Sequence, residues 1–231
     1  MEWYWILIIV LGSLLVLLLL SIVLYKYFFK RFYDIVLSGL AILVLSPLLV
    51  VLIFAGSIAM KGNPFFAQQR PGKNEKIFKL IKFRSMDNRK DKDGNLLPDN
   101  VRLNKYGRFI RKTSLDELPE LFNIFIGNMS IIGPRPLLVK YLPWYTEREK
   151  IRHNVRPGLT GYAQTHGRNL ITWEEKFEKD VYYVEHISLW MDISIIFATI
   201  GVVLSRSGIG VNALPDLDDY RKNKQKENEN S

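Results

Sequence analysis

Of 231 residues, 48% are hydrophobic and 24% charged, with a net charge of +9 and no cysteine. The charge is unevenly placed. Of the 32 Lys/Arg and 23 Asp/Glu, only Lys26, Lys30, Arg31, Glu2 and Asp34 fall in the first 60 residues, which leaves 29 and 21, a net of +8, for the rest. An apolar head on a basic body excludes a wholly soluble cytosolic protein and a many-spanning transporter, and the lack of cysteine excludes disulfides, thiolate metal sites and thiol catalysis.

Trp3 to Tyr25 is free of charge and would extend roughly 34 Å as helix, enough for a hydrocarbon core of about 30 Å. Trp3, Tyr4 and Trp5 at one end and Tyr25 and Tyr27 at the other form interfacial belts. No Lys or Arg precedes the segment and no small-x-small site follows it, so a retained anchor over 1–27 is expected in place of a cleaved signal. A second uncharged stretch, Ile35 to Met60, carries Ser46-Pro47 at its middle, where a proline predicts a kink or break. Lys26, Lys30 and Arg31 place the linker in the cytoplasm by the positive-inside rule. A full second span would put the basic body outside; a re-entrant helix over 35–60, broken at Ser46-Pro47, keeps it inside, with Ser46 taking up a freed carbonyl. Asp34 is spaced to pair with Lys30 or Arg31 as an interfacial cluster.

In the body, 61–210, residues 64–84 read as a β-hairpin turning at Arg70 to Asn74, and 87–100 as a polar loop. Tyr106 to Lys112 leads to Ser114, from which a helix runs to about Phe125 and stops at Gly127-Asn128. The turn Gly133-Pro134-Arg135-Pro136 precedes a helical stretch over 137–153, and 156–161 is a loop. Apolar residues at 173, 177, 181, 184 and 187 mark one helix face. The uncharged run 193–205 is too short to span and belongs to the core or the membrane interface. Residues 211–231 read as a polar, disordered tail. The fold class is α+β and mainly helical, with no internal repeat and no zinc, P-loop or dinucleotide fingerprint.

Ser114-Leu115-Asp116-Glu117 supports two readings: a capping box opening a helix, or an acid pair in which one carboxylate is a nucleophile and the other holds Mg²⁺ together with substrate phosphate oxygens. A helix N-terminus would lower the pKa of such acids and attract phosphate. Lys82, Arg84, Arg111 and Arg135 are the cations at hand, and Arg135 is bracketed by prolines that fix its backbone. Together they suit a phosphorylated substrate, while the basic excess also suits anionic membrane lipid. His153, His166 and His186 lack metal-ligand spacing. The glycines of 156–168 serve either a ligand's close approach or plain turns. Interspersed acids argue against nucleic acid.

Lys30-Arg31-x-x-Asp34, the Ser46-Pro47 pair, Phe78 to Met86, Ser114 to Pro119, Gly133 to Pro136, Arg156 to Gly161 and Gly167-Arg168-Asn169 occur in one order. In this the chain resembles the bacterial monotopic phosphoglycosyl transferases, the bacterial sugar transferase family, over about residues 28–210. The resemblance implies a re-entrant membrane helix and a small α/β catalytic body on the cytoplasmic side of the bacterial inner membrane. It also implies Mg²⁺, and transfer of a sugar-1-phosphate from a UDP-sugar, N-acetylated by expectation, to polyprenyl (undecaprenyl) phosphate through an aspartyl intermediate. The product would pass to downstream glycosyltransferases in capsule, exopolysaccharide or glycoprotein glycan synthesis. By motif, Asp116 matches the nucleophile and Glu117 the magnesium-associated acid. Lys82, Arg111, Arg135 and Arg168 match positions that hold the diphosphate or nucleotide. The segment 3–25, which the smallest members lack, is a departure from the family pattern. One-step transfer without a covalent intermediate, and a non-catalytic membrane scaffold, are the rival readings.

Overall fold

In the computed structural model, which describes residues 2–167, 171–205 and 214–229, the apolar N-terminal part is helical. Helix α1 (Glu2–Val23) passes through a π-helical turn (Tyr25–Phe29) directly into α2 (Lys30–Met60), so no extended linker separates the two apolar stretches. Among the described residues, one helical stretch is long and apolar enough to cross a membrane, Tyr25–Met60; Trp3–Leu17 is a shorter apolar helix.

The expected break at Ser46-Pro47 is not made: Pro47 lies inside an uninterrupted helix. The proline removes the N–H that would reach the carbonyl four residues back, and the Ser46 hydroxyl donates to that same carbonyl, Leu43 O, at 2.7 Å. Both ends of α2 are tied to the body. At its start Lys30 Nζ lies 2.6 Å from Asp192, Arg31 donates to the Ile124 and Phe125 carbonyls at 2.7 and 2.9 Å, and Asp34 accepts from Ile131 N at 2.9 Å. The local Asp34 pairing anticipated from spacing is thus replaced by long-range contacts, because each group finds a buried partner that solvent would not match. Further along, Leu49 and Leu52 pack with Phe83 and Ile110, and Tyr106 OH and Asn104 Nδ2 donate to the Leu52 and Ala59 carbonyls.

The hairpin forms from β1 (Phe65–Pro71) and β2 (Ile77–Phe83), antiparallel from Phe65↔Phe83 to Pro71↔Ile77. Its turn begins two residues later than expected, with Asn74 and Glu75 at positive φ, so Arg70 belongs to the strand. After the polar loop come α3 (Asp99–Arg102), α4 (Lys105–Lys112) and α5 (Glu120–Ile126). Asn104 caps α4, and Gly127, at φ +100°, ends α5. Strands β3 (Ser130–Ile132) and β4 (Gly158–Thr160) pair in parallel. A Cβ on Gly158 would fall 2.1 Å from Gly133 N, and one on Gly161 2.2 Å from Gly133 O. These glycines therefore let backbone approach backbone, not a ligand.

The helix expected over 137–153 is instead two 3₁₀ segments, Val139–Trp144 and Ile151–Asn154, around α6 (Glu147–Lys150). Pro143 cannot sustain helical bonding, and a Thr146–Glu149 capping box restarts it. Beyond α7 (Tyr162–Thr165), helix α8 (Trp173–Glu185) buries Trp173, Phe177, Val181 and Val184, the face its periodicity predicts. Helix α9 (Leu189–Ser205) buries Ile195 in the core and exposes Phe197. The tail expected to be disordered contains α10 (Leu217–Glu229). Leu217 is fully buried against Tyr141, Tyr145, Trp173 and Phe177, Arg221 pairs with Glu149, and Lys224 reaches Glu174 at 2.8 Å. One apolar anchor and a few ion pairs hold a sequence whose composition alone has no core to form.

Asp34→Ala leaves the Ile131 N–H without its acceptor and is expected to cost about 1–3 kcal/mol, whereas Asp93→Ala in the exposed loop stays within about 0.5 kcal/mol. Thermal unfolding in detergent compares them.

Candidate active site

The strand that carries Lys82 is fixed by a residue that the motif reading passed over. Asn123 on α5 is fully buried; its Nδ2 donates to Lys79 O at 2.8 Å and its Oδ1 accepts from Ile81 N at 3.0 Å. One amide thus satisfies a donor and an acceptor on β2 and locks it to α5. The signal in the sequence is a lone amide inside the apolar run Leu121-Phe122-Asn123-Ile124-Phe125.

Ser114 to Glu117 does not form the capping box. Ser114 is left-handed at φ 55° and makes no cap bond, and Leu115–Glu117 is a single 3₁₀ turn, with α5 starting only after Pro119. A residue in that conformation cannot occupy the extended geometry of an N-cap. The Glu117 carboxylate, released from capping, has Oε1 2.8 Å from Lys82 Nζ and 2.7 Å from Arg135 Nη2. Lys82 also reaches Glu120 Oε1 at 3.0 Å. Glu120 is buried and joins the site three residues beyond Glu117, a neighbour that the acid-pair reading missed.

These contacts divide the acids. Burial works against ionising Glu117, yet Arg135 and Lys82 outweigh it and hold its pKa down to about 2. Asp116 moves the other way: burial first, then the charge of Glu117, raise it, and Lys82 and Arg111 only partly offset them. A backbone hydrogen bond in the 3₁₀ turn also lowers it, but burial and Glu117 outweigh the net lowering expected from a helix terminus. Among the described residues Asp116 has no ion-pair partner. Burial also raises Glu120, against the pull of Lys82. An adjacent pair of acids with environments pushing their pKa values apart is a recognised arrangement for two chemical roles.

Arg135 projects from the loop after β3 with its side chain 44% exposed, available to an anion as well as to Glu117. Arg111, also exposed, donates from Nε to Ser85 Oγ at 2.8 Å. Its α4 approaches the Ser85 loop so closely that a Cβ on Gly107 would meet Ser85 O at 1.8 Å. Arg70, read from the sequence as a turn residue, lies on β1 and bonds the loop at Pro136 O. Arg168 lies outside the described residues. His153 is buried and pushed down to about 3 by burial and Arg152, while His166 and His186 stack on Tyr162 and Tyr182. Among the described residues no group of three or more His, Asp or Glu is placed to hold a metal by itself. Both cations on Glu117 bind Oε1, so Oε2 accepts no hydrogen bond from a described residue. A divalent ion completing its shell with phosphate oxygens fits that donor set; an all-protein cage does not.

Residues 25–206 match the family described as bacterial sugar transferase. The chain is 49% identical over 182 residues to the uncharacterized sugar transferase EpsL of Bacillus subtilis, covering 78% of this chain and 89% of that one. It is 40% identical to a UDP-glucose:undecaprenyl-phosphate glucose-1-phosphate transferase of Klebsiella pneumoniae, over 74% of this chain and 39% of the relative. It is 37% identical to a UDP-N-acetylgalactosamine-undecaprenyl-phosphate N-acetylgalactosaminephosphotransferase of Aeromonas hydrophila, over 78% and 45%. The chain thus spans nearly all of the Bacillus relative and less than half of the other two.

The opposed pKa shifts give opposite signs in stability. Glu117 is depressed from 4.5 to about 2, so its pairing stabilises the fold above pH 4.5 and that contribution is lost as pH falls toward 2. Asp116 is raised, so its ionised form costs stability at neutral pH and protonation relieves the cost. At pH 7 Glu117→Gln should therefore melt lower and Asp116→Asn higher than wild type, at about 2–4 °C per kcal/mol. The Glu117→Gln deficit should narrow as pH drops below 4.5.

Proposed function

The chain belongs to the bacterial sugar transferase family, and from that premise we propose that it moves a sugar-1-phosphate from a UDP-sugar to polyprenyl phosphate, undecaprenyl phosphate by analogy with the named relatives. The observation that carries this reading is the unequal acid pair: Glu117 is bound by Lys82 and Arg135, while Asp116 beside it is half-buried and has no ion-pair partner among the described residues. A carboxylate locked into ion pairs is a poor nucleophile; one with raised basicity and no partner is a better one.

An Asp116 oxygen attacks the phosphorus that bears the sugar. The bond from that phosphorus to the bridging oxygen breaks, and UMP departs with the electron pair. An oxygen of polyprenyl phosphate then attacks the same phosphorus and displaces Asp116, giving polyprenyl-diphosphate-sugar. Lys82, Arg111 and Arg135 bind the diphosphate, and the exposed part of the Arg135 guanidinium, beyond its contact with Glu117, stabilises charge on the departing phosphate. Glu117 would hold Mg²⁺ together with phosphate oxygens, and the ion would supply further charge neutralisation. The covalent step lets a water-soluble donor and a membrane-held acceptor react in turn.

The docking of the start, middle and second half of the unbroken α2 on one body supports an α2 that lies against that body on a single membrane face instead of crossing away from it. Lys26, Lys30 and Arg31 favour the cytoplasmic face of the inner membrane. The relatives' names include both glucose and N-acetylgalactosamine, which supports a UDP-hexose donor, N-acetylated or not. The product would feed downstream glycosyltransferases building a capsule, exopolysaccharide or glycoprotein glycan.

Wild-type protein in nanodiscs with Mg²⁺ and the right donor should exchange labelled UMP into UDP-sugar without lipid acceptor. Asp116→Asn should lose at least about 10³-fold in that exchange. Unaltered exchange would refute the aspartyl intermediate. Turnover only after polyprenyl phosphate is added would point to one-step transfer, and neither activity with any UDP-hexose to a scaffold.

A further inference from the structure

The loop that presents Arg135 has an unusual supply of hydrogen bonds. Pro134 and Pro136 have no N–H to donate, so the loop is fixed mainly through what its carbonyls accept. Three consecutive carbonyls are occupied. Pro134 O accepts from Gly158 N at 3.0 Å, Arg135 O from Arg152 Nη2 at 2.7 Å, and Pro136 O from Arg70 Nη1 at 3.3 Å. Just before them, Gly133 N donates to Thr160 O at 2.9 Å.

The two arginines come from different elements and are themselves held. Arg152, from the 3₁₀ segment before β4, has a side chain 2% exposed. It donates twice to Asp180 on α8, at 3.1 and 2.8 Å, and its guanidinium lies 5.6 and 5.7 Å from the Tyr145 and Phe177 ring centroids. Arg70, on β1, is oriented by Gln68 Oε1 at 2.7 Å. Burial and the nearby Arg135 lower its pKa, and its buried Nε has no hydrogen-bond partner. A buried guanidinium at a protein carbonyl is a costly use of a charge unless its rigid fork is needed for placement. By contrast, Arg135 is a long, half-exposed side chain with one ion-pair contact, on Glu117 Oε1, so its reach depends on where its backbone sits.

We propose that Arg70 and Arg152 are positioning residues that grip the Arg135 and Pro136 carbonyls and so set where the Arg135 guanidinium meets Glu117 and the substrate diphosphate. The inference rests on the reading of Arg135 as a diphosphate-binding residue. Neither arginine needs to touch substrate. A misplacement of about 1 Å at a group that binds the reacting phosphate is enough for a loss of about 10²-fold.

The test is a double-mutant cycle in kcat/KM for UDP-sugar, with Arg70→Met, Arg70→Lys and Arg152→Lys each made in wild type and in Arg135→Ala. Arg70→Met should lose about 10–100-fold in wild type and less than about 2-fold once Arg135 is gone, because residues acting as a unit are non-additive. Arg70→Lys, which keeps a donor, should recover part of the loss. Melting curves confirm that the variants are folded; if Arg152→Lys is not, the Arg70 series decides. Arg70→Met losing as much in Arg135→Ala as in wild type, or losing nothing in either, overturns the proposal while leaving the role of Arg135 intact. An Arg135→Ala protein with unchanged kcat/KM overturns that role, and the proposal with it.

Discussion

Everything about the placement of this site follows from the way the start of α2 is bound to the body. Asp192, 2% exposed, receives Lys30, the hydroxyl of Tyr25 and the hydroxyl of Tyr183. Removing any one partner leaves a buried charge or hydroxyl less than satisfied, which is where the low dielectric is costly. The π-helical turn over 25–29 brings Tyr25 into this cluster. One residue past Lys30, Arg31 covers the last carbonyls of α5, groups that a helix terminus leaves without partners. Asp34 then holds β3. Three side chains within two turns therefore join the apolar helix to α9, α5 and β3.

That connection fixes where Asp116 and Glu117 sit relative to the apolar helix. Helix α5 begins only two residues, Leu118 and Pro119, after Glu117, so an α2 that caps α5 sets the distance from the apolar segment to the acids. Asn123 on the same helix sets the register of β2 and hence of Lys82. The second half of α2 closes the other side, through Leu52 and its carbonyl contact with Tyr106. The division between Asp116 and Glu117 needs this rigidity, since it depends on Lys82 and Arg135 reaching one carboxylate and not its neighbour.

Local pattern made part of this legible. The hairpin strands, the stop at Gly127, the buried face of α8 and the identity of Asp116, Glu117, Lys82 and Arg135 as neighbours follow from periodicity, turn chemistry and motif order. The misreadings have a common physical origin in tertiary contacts. Spacing pairs Asp34 with Lys30 or Arg31, but all three have partners about 90 to 160 positions away. The S-x-x-E string fails as a cap because Ser114 is left-handed. The polar tail folds because Leu217 and a few ions find a surface that composition does not reveal. Asn123 was silent because a lone amide in an apolar helix carries no spacing rule, and Arg70 was read as part of the turn because the following Pro-Gly pair masks the end of the strand.

The central claim is that both ends of α2 lie on the same side of the membrane as the body they bind. The chain has no cysteine, so single cysteines at Phe28, Lys61 and Lys92 report without background. With a membrane-impermeant maleimide, intact cells should leave all three unlabelled and opened cells should label all three. Labelling of Lys61→Cys in intact cells while Phe28→Cys stays protected would make α2 a full span and contradict the account.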